Sequence, residues 1–414
     1  MEKEIVEQSD KPEALENLYR EDPQLFSEAF QKSINRFKDQ KLAEFWKIRL
    51  HKSKTSITFI TWGKRREIWM VVVFSVIAGI LVKLPAFINL NEEAYYQRNA
   101  IFFFAPFIAG YLFYKKNISV QKTLPAFGIM LLTLIYSNTL HYWNEGQILI
   151  LSYLHIPIVI WFIVGWFFGN GDWKNLNSRL EYLSFNGSLA VIMAIILASG
   201  AILTGLAVAL FSFINKDIGE IIAGYAAPAG LVASPILGTY IINTNPGIVD
   251  RLSPLVAKIF SHLAILVLIA FLIASLFSSQ NPFYDREFLL VINLVFIAVI
   301  ALSLFLVSET KDAEKAPYNI RLIFILSALS IIIGLISLSS IIFRISEWGF
   351  TANRMAVLGS NILLLIHTGF ILYDSFLIIR GKAKIDRINS QMAKYLTVYG
   401  GWVTVVAFIF PIIF

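Results

Sequence analysis

Long apolar runs separated by short polar breaks fill the chain from Ile68 to Phe414. An α-helix needs about 20 apolar residues to cross roughly 30 Å of hydrocarbon, and most of the runs reach that length. The runs and their turn-forming breaks predict about eleven transmembrane helices. Their predicted bounds are 68–88, 99–114, 123–140, 147–168, 184–214, 218–243, 253–278, 287–308, 320–343, 352–379 and 395–414. The predicted fold class is therefore all-α, a polytopic membrane helix bundle.

The second run, 99–114, is the shortest, and as a helix of about 15 residues it would measure roughly 22 Å. We nevertheless count it as a crossing. Without it every later loop would change sides, and most of the Lys and Arg residues would face outward, against the positive-inside rule.

Basic residues in the short loops are unevenly divided between the two sides of the predicted bundle. Fifteen lie on the side of the N-terminus and five on the other side. Because cytoplasmic loops are enriched in Lys and Arg, the N-terminus is predicted to be cytoplasmic and the C-terminus to be outside. The five predicted outer residues are Arg98, Lys216, Arg286, Arg344 and Arg354.

Residues 1–66 precede the first span and differ from it in kind. They begin MEKEIVEQSDK, which is acidic and polar, so no cleavable signal peptide is expected. Prolines at 12 and 23 suit the first turns of two helices. Apolar residues after the second proline recur every three or four positions, at Phe26, Phe30, Ile34 and Phe37. This spacing predicts a small cytoplasmic unit of two or three amphipathic helices.

The second half of this unit, residues 32–66, carries eleven basic residues against Asp39 and Glu44. One interpretation is a patch that binds anionic lipid headgroups or an acidic protein partner. The other is the ordinary positive charge that precedes a first transmembrane helix.

Composition agrees with a lipid bilayer as the main partner of the chain. Hydrophobic residues make up 57% and charged residues 15%, against about 45–50% and 25% in soluble proteins. The chain has no cysteine, which excludes disulfides, thiolate metal sites, iron–sulfur clusters and thiol nucleophiles. The net charge of +7 follows the sidedness of the loops, so no nucleic-acid partner is expected.

Ionisable residues within the predicted spans are candidates for function because they are costly in hydrocarbon. His155 lies mid-span beside Pro157, and it would act as a proton relay or bond to a backbone carbonyl. Lys258 and His262 share a helical face near the basic side, where the lysine can reach the headgroups. His367 and Asp374 lie seven positions apart, about 10 Å along one face, and are a candidate proton-coupled pair.

Backbone breakers concentrate in the sixth predicted span, which reads GYAAPAGLVASPILGTY and contains Pro228, Gly230 and Pro235. Proline removes an amide donor and opens the helix ladder, which in a membrane is tolerated where protein or a water-filled cavity satisfies the freed carbonyls. The span would then either line a substrate site, as kinked helices do in transporters, or pack closely. Small residues in the fifth span predict close helix contact; they are Gly187, Ala190, Ala194, Ala198, Ala201 and Gly205.

The segment ISEWGFTANRMAVLGSN, residues 345–361, connects the ninth and tenth predicted spans. Gly349 is predicted to supply the turn and Thr351 to cap the tenth helix. A cation at a helix N-terminus is unfavourable, so Arg354 is expected to have an anionic partner, with Glu347 the nearest candidate. Three residues at seven-residue intervals predict a polar stripe on this helix: Arg354, Asn361 and Thr368.

Signatures of known chemistry are missing from the chain. It has no glycine-rich Walker A loop, no H-E-x-x-H and no G-x-S-x-G. No catalytic, cofactor-binding or metal-binding residue is therefore predicted, and enzymatic activity is not expected.

Three stretches of the C-terminal part carry a resemblance to a known family. They are LTGLAVALFSF, RLSPLVAKIFSHLAILVL and WGFTANRMAVLGSNILLL. The set resembles a family of bacterial polytopic inner-membrane proteins catalogued as domain of unknown function 4153, over roughly residues 180–414. An aromatic-Gly-x-Thr-x-x-Arg element of that family is matched by Trp348, Gly349, Thr351 and Arg354.

The resemblance implies a multi-pass protein of the bacterial cytoplasmic (inner) membrane and no known activity. With it, the predicted organisation is a cytoplasmic unit at 1–66, a first bundle of four spans at 67–183, and a family-like domain of seven spans at 184–414.

Three functions remain open. A transporter or permease-like protein predicts a cavity that reaches the kinked sixth span and is lined by residues such as His155, Asn361 or His367. A membrane scaffold or sensor predicts a tightly packed bundle that acts through residues 1–66. An intramembrane enzyme acting on a lipid-linked substrate predicts polar residues, such as Arg344, Glu347 and Arg354, clustered around a headgroup.

Overall fold

The computed structural model describes residues 2–21, 23–34, 37, 39–53, 62–212, 218–277, 281–310 and 317–414. These residues form helices joined by short turns, with no strand among them. They belong to two compact units, one within residues 1–61 and one within residues 62–414. The all-α fold class is confirmed.

The N-terminal unit has four described helices, which is more than the two or three predicted. They are α1 Glu2–Glu7, α2 Pro12–Glu21, α3 Pro23–Ser33 and α4 Gln40–Ser53. Burial confirms the predicted apolar face, because Phe26, Phe30 and Phe37 are all buried. Trp46 of α4 completes this core, 4.9 Å from the ring of Phe26. The unit therefore has an apolar core of its own.

The unit of residues 62–414 is a helical bundle. Its helices are α5 Arg65–Ile88, α6 Glu92–Asn99, α7 Ala105–Lys116, α8 Val120–Thr139, α9 Gly146–Phe168, α10 Leu176–Ser212, α11 Gly219–Thr244, α12 Pro246–Leu276, α13 Arg286–Ser308, α14 Pro317–Trp348, α15 Ala352–Ile379 and α16 Ile385–Ile413. Within the described residues, α5 and α8 to α16 are long and apolar enough to cross a membrane, ten helices in all.

The second predicted span is not one long helix. Its place is taken by a 3₁₀ segment at Ala100–Phe103 and the 12-residue helix α7, and α6 ends before them at Asn99. The Lys115 ammonium at the end of α7 lies 2.8 Å from the Glu67 carboxylate at the start of α5. Helix α5 is itself long enough to cross a membrane. The chain leaves α5 at Ile88 and is back beside the start of α5 by residue 115. Two short helical pieces together make this return, and neither is among the ten helices that are long and apolar enough to cross a membrane.

Contacts between helix ends show that successive helices run in opposite directions. We call the end that holds Glu67, Lys115 and Lys122 the basic end. At this end the Lys116 ammonium donates to the carbonyl of Phe168, where α9 finishes. At the opposite end the Asn99 and Asn138 amides bond to each other, at 2.8 and 3.2 Å.

Several helices extend beyond their predicted bounds at polar ends. α10 begins at Leu176 instead of 184, α14 runs to Trp348 instead of 343, and α16 begins at Ile385 instead of 395. The reason is that apolar runs mark only the part of a helix inside hydrocarbon, whereas the helix continues into the interface. Lys216, one of the five predicted outer basic residues, lies outside the described residues, as do residues 35, 36, 38 and 54–61 of the predicted basic patch.

Small residues on α10 behave differently in its two halves. A Cβ built on Gly187 would lie 2.0 Å from Cδ2 of Phe305, so the glycine permits α13 to approach α10 closely. In the second half Ala198, Ala201 and Gly205 are exposed, and a Cβ at Gly205 would meet no described atom within 4 Å. The predicted close contact is confirmed at Gly187. It is wrong in the second half and also at Ala190 and Ala194, which are exposed.

The core of the bundle consists of two large apolar clusters. One lies mainly among α5, α7, α8 and α9, and the other among α12, α13, α14 and the start of α16. Helix α11 contributes Val232, Ile236 and Tyr240 to the first cluster. The predicted division of the bundle at residue 184 depends on the family resemblance and stays a prediction.

Replacement of Gly187 by alanine should destabilise the bundle. The new methyl group would overlap the Phe305 ring, and overpacking of this kind costs about 1–3 kcal/mol. The measurement is the free energy of unfolding in mixed detergent micelles. Gly200→Ala on the same helix is the matched control, because its Cβ meets nothing within 4 Å among the described residues. An equal loss of unfolding free energy in the two variants would contradict the close contact between Gly187 and Phe305.

Candidate functional site

Three arginines from three helices line one polar pocket at the end of the bundle opposite the basic end. Arg286 is the first residue of α13, Arg344 lies four positions before the end of α14 at Trp348, and Arg354 lies in the first turn of α15. The pocket has a volume of about 240 Å³. Its other polar lining residues are Gln147, Asn293, Thr351 and Asn353. We refer to it as the arginine pocket.

The turn before α15 has the local structure that the sequence predicts. Gly349 has a φ of +75°, the left-handed region that glycine adopts without strain. The Thr351 hydroxyl accepts a hydrogen bond from the backbone N–H of Arg354 at 3.3 Å. Thr351 is therefore the N-cap of α15, and both predictions are confirmed.

Arg354 does not have its predicted partner. Its Nη1 donates to the backbone carbonyls of Trp348 and Gly349, each at 2.6 Å, and forms no ion pair with Glu347 within the described residues. These carbonyls belong to the end of α14, which has its own unsatisfied acceptors. They offset the unfavourable position of a cation at the start of α15, so Glu347 is wrong as the partner.

Trp348 contacts two of the arginines. The guanidinium carbon of Arg344 is 4.9 Å from the Trp348 ring centroid, and that of Arg354 is 5.9 Å from the same ring. Arg344 also donates to the carbonyl of Tyr284 at 3.2 Å. Cation–π contact and carbonyl bonds hold both guanidinium groups in place.

Arg286 is the arginine with the least protein contact. Its side chain is exposed and makes no hydrogen bond or ion pair with any described residue. The nearby carboxylate of Asp285 is already engaged, because it caps α13 by accepting from the N–H groups of Glu287 and Phe288 at 2.9 and 3.1 Å. Arg286 therefore has free donors beside the pocket.

The charge at the pocket is positive. Arg286 and Arg354 both act on Arg344 by like-charge repulsion, and Asp285 opposes them. Helices α13 and α15 also begin here, and helix N-termini carry partial positive charge. Guanidinium groups and helix N-termini are the usual partners of phosphate, sulfate and carboxylate, so the pocket suits an anion.

Below the pocket a chain of amide and hydroxyl groups joins three helices. The Asn361 amide donates to the Ser337 hydroxyl at 2.7 Å, and that hydroxyl donates to the Asn293 side-chain oxygen at 2.7 Å. Asn293 itself lines the pocket, whereas Asn361 is buried. The predicted stripe therefore starts at the pocket with Arg354 and continues inward with Asn361 as a link to α14, and Thr368 bonds to a carbonyl of its own helix.

His367 and Asp374 lie deeper on α15, and both face α16. The His367 Nδ1 is 2.7 Å from the hydroxyl of Tyr399, and its ring stacks 4.2 Å from that of Tyr395. Asp374 pairs with Arg387 at 2.6 Å. Thirteen residues separate His367 from Arg354, about 20 Å along a helix, so neither His367 nor Asp374 belongs to the arginine pocket.

The remaining candidate side chains form two further local arrangements. His155 bonds through Nδ1 to the carbonyl of Leu151 at 2.8 Å, which is the carbonyl contact that the sequence suggests. His262 bonds to the carbonyl of Lys258 at 2.7 Å and to the hydroxyl of Tyr318 at 2.5 Å. The Lys258 ammonium lies 5.0 Å from the Tyr318 ring, so this pair contacts the start of α14 near the basic end.

The proline-rich helix α11 is irregular, as its sequence suggests. A π-helical segment at Ile222–Ala226 ends just before Pro228, while Pro235 is buried. A groove of about 450 Å³ between α5 and α11 is lined by Lys83, Tyr225 and the exposed Gly230, together with apolar residues. The transporter hypothesis predicts that His155, Asn361 or His367 lines a cavity beside the kinked helix. None of the three lines this groove.

The sequence names Arg286 only as an outer loop charge. It names Arg344 as an outer loop charge and as part of a possible headgroup cluster with Glu347 and Arg354, and it does not identify Gln147 or Asn293. One signal could have found the two arginines. They and Arg354 stand at the same predicted side, at the ends of three consecutive spans. Consecutive spans with short loops are usually neighbours in space, which brings these ends together.

No known family pattern matches the chain, and no curated protein or solved structure matches it significantly. The resemblance to domain of unknown function 4153 therefore stays a prediction.

Loss of the Thr351 cap should weaken the turn that positions Arg354. Thr351→Ala removes the side-chain acceptor and should lower the free energy of unfolding by about 1 kcal/mol. Thr351→Ser keeps the hydroxyl and should behave like the wild type in the same detergent titration. If serine and alanine are equally destabilising, the methyl group of the threonine matters and the cap does not.

Proposed function

We propose that this multi-pass membrane protein is non-enzymatic and permease-like, and that it binds a small anion, or the anionic group of a small solute, in the arginine pocket. The observation that carries the proposal is the convergence of Arg286, Arg344 and Arg354 on one cavity. No carboxylate lies among the described residues that line it. An anion would supply the negative charge that these side chains lack.

A line of buried hydroxyl groups supports a path from the pocket into the bundle. Four serines on one face of α14 are fully buried: Ser327, Ser330, Ser337 and Ser340. Ser337 belongs to the network below the pocket, and the Ser327 hydroxyl has no hydrogen-bond partner among the described residues. Polar groups inside a membrane protein commonly mark solute pathways.

This path is closed in the described conformation. A Cβ built on Gly334, between Ser330 and Ser337, would lie 2.5 Å from the ring of Phe296 and 2.7 Å from Leu365. The three helices therefore meet at Gly334, and passage of a solute requires Phe296 and Leu365 to move. Transporters close their pathways in this way when one group of helices rocks against another.

The positive-inside rule supports an orientation in which the pocket faces the outer side of the membrane. In this orientation the basic end faces the cytoplasm, and the pocket collects its anion from outside. The proposed location, the bacterial cytoplasmic membrane, depends on the family resemblance.

The make-up of the pocket favours binding over catalysis. An enzyme acting on a lipid-linked substrate would need an acid or base beside the bound group. Arg344 and Arg354 do converge, but Glu347 does not join them at the pocket. The lipid-linked enzyme is therefore less well supported than the permease.

A second candidate function, a scaffold or sensor, is supported by the N-terminal unit. It has its own core, and α4 exposes Phe45 and Ile48 beside Lys41 and Lys47. An exposed surface that combines apolar and basic residues suits an anionic lipid surface or an acidic protein.

Anion binding should be saturable and should depend on Arg286. The probes are inorganic phosphate, sulfate, chloride and acetate, titrated against purified protein in lipid nanodiscs by calorimetry at low ionic strength. Arg286→Gln should weaken binding of the preferred anion about tenfold or more, because a charged hydrogen bond is worth about 1.5–3 kcal/mol. Folding should be unaffected, since Arg286 has no partner to lose among the described residues.

Arg380→Gln is the control, an exposed arginine at the basic end whose contact is the Phe376 ring. It should leave the affinity unchanged. Absence of saturable binding, or equal loss in both variants, would overturn the anion site. Uptake of the bound anion into proteoliposomes then tests transport. Binding without uptake would contradict the permease and favour the sensor.

A further inference from the structure

A deep groove opens on the side of the bundle between α8, α9 and α16. Its volume is about 790 Å³, and its walls are mostly apolar. It extends from Lys122, Trp166 and Trp173 at the basic end towards Phe408 in the bundle. No residue of the arginine pocket lines it.

The groove exists because small residues line part of its wall on α16. A Cβ built on Gly401 would meet no described atom within 4 Å, and one on Gly400 would come only to 3.5 Å of Phe162. Twelve residues separate Leu396 from Phe408, the first and last lining residues on α16. At 1.5 Å per residue this is about 18 Å, close to half of the roughly 30 Å hydrocarbon thickness. The groove thus matches the depth of one leaflet.

The mouth of the groove is cationic and aromatic. Lys122 is exposed and makes no hydrogen bond or ion pair with any described residue. Gly171, with a φ of +72°, lets the loop pass beside the lysine stem, because a Cβ there would lie 3.0 Å from its Cδ. The glycine loop thus lies against the stem of Lys122, and its ammonium group has no hydrogen-bond or ion-pair partner among the described residues.

Arg179 adds a second charge near the mouth. It donates to the hydroxyl of Thr397, a lining residue, at 2.9 Å, and its guanidinium carbon lies 5.4 Å from the Trp173 ring. The nearby acidic residue is Asp172, which accepts from the backbone N–H of Lys174 at 2.9 Å. Arg179 therefore contributes positive charge near the mouth while its donors are engaged by the protein.

We infer that this groove is a specific binding site for one anionic phospholipid. Lys122 binds the phosphate, Trp166 and Trp173 lie at the level of the headgroup, and an acyl chain fills the channel beside Gly400 and Gly401. Tryptophan and basic residues together are typical of the membrane interface. A soluble anion fits less well, because an acyl chain covers the apolar walls and a small ion leaves them bare.

The test compares lipid retention by native mass spectrometry. The full chain is reconstituted with equal amounts of phosphatidylglycerol and phosphatidylcholine and released from detergent. The wild type should retain one phosphatidylglycerol per chain, with at least a fivefold preference over phosphatidylcholine. Lys122→Gln should lose this preference, whereas Lys382→Gln, an exposed lysine at the same end, should keep it.

A second variant tests the acyl channel independently of charge. Gly401→Leu fills the groove and should abolish retention of both lipids, and Ala126→Leu on α8 fills it from the other wall if the first variant does not fold. Three outcomes would overturn the site: no preference in the wild type, a preference that survives Lys122→Gln, or retention that survives both filling substitutions. We expect none of these substitutions to change anion binding at the arginine pocket, because none of the substituted residues lines it.

Discussion

Every backbone N–H and C=O that enters hydrocarbon must find a partner within the protein, and this constraint governs the whole bundle. It explains why the described membrane unit is helical even where the apolar run is short. Between α5 and α8 no single helix crosses, yet 3₁₀ bonds at Ala100–Phe103 join α6 to α7. The ion pair of Lys115 with Glu67 then ties the end of this composite crossing to the start of α5. The direction of each later helix depends on that closure, and so does the placement of the arginine pocket and the lipid groove at opposite ends.

Lysines and arginines have different kinds of partner in this bundle. Lys116 donates to a carbonyl and Lys115 pairs with a carboxylate at the basic end. Arg179 at that end, and Arg344 and Arg354 at the other, donate to backbone carbonyls and also contact a tryptophan ring. A planar guanidinium can stack and donate at the same time, whereas an ammonium is a compact, strongly hydrated charge. Arginine therefore suits a position in which a ring and a carbonyl hold the guanidinium group while its other donors remain available to a ligand.

The sequence predicts well those features that depend on local spacing. The apolar runs locate ten long helices, and the pattern at Gly349 and Thr351 predicts both turn and cap. It fails where a contact depends on a distant residue. Arg354 bonds to carbonyls of the preceding helix end instead of the nearby acid Glu347, because the fold brings those acceptors closer. Gly187 and Gly205 look alike in sequence, yet only the first meets a large side chain, Phe305. The pocket itself combines Gln147 with residues more than 130 positions away, which no periodicity reveals.

Trp348 has a consequence for the energy of the empty protein. Arg344 and Arg354 both contact its ring, so the two charges lie close together in the folded protein. Their mutual repulsion then lowers the free energy of unfolding, because the two charges move apart when the chain unfolds. An anion bound at the proposed site relieves this repulsion as well as forming bonds, so its binding is linked to the stability of the fold. The ionic composition of the solution at this end of the bundle thus becomes a variable of the protein's own stability.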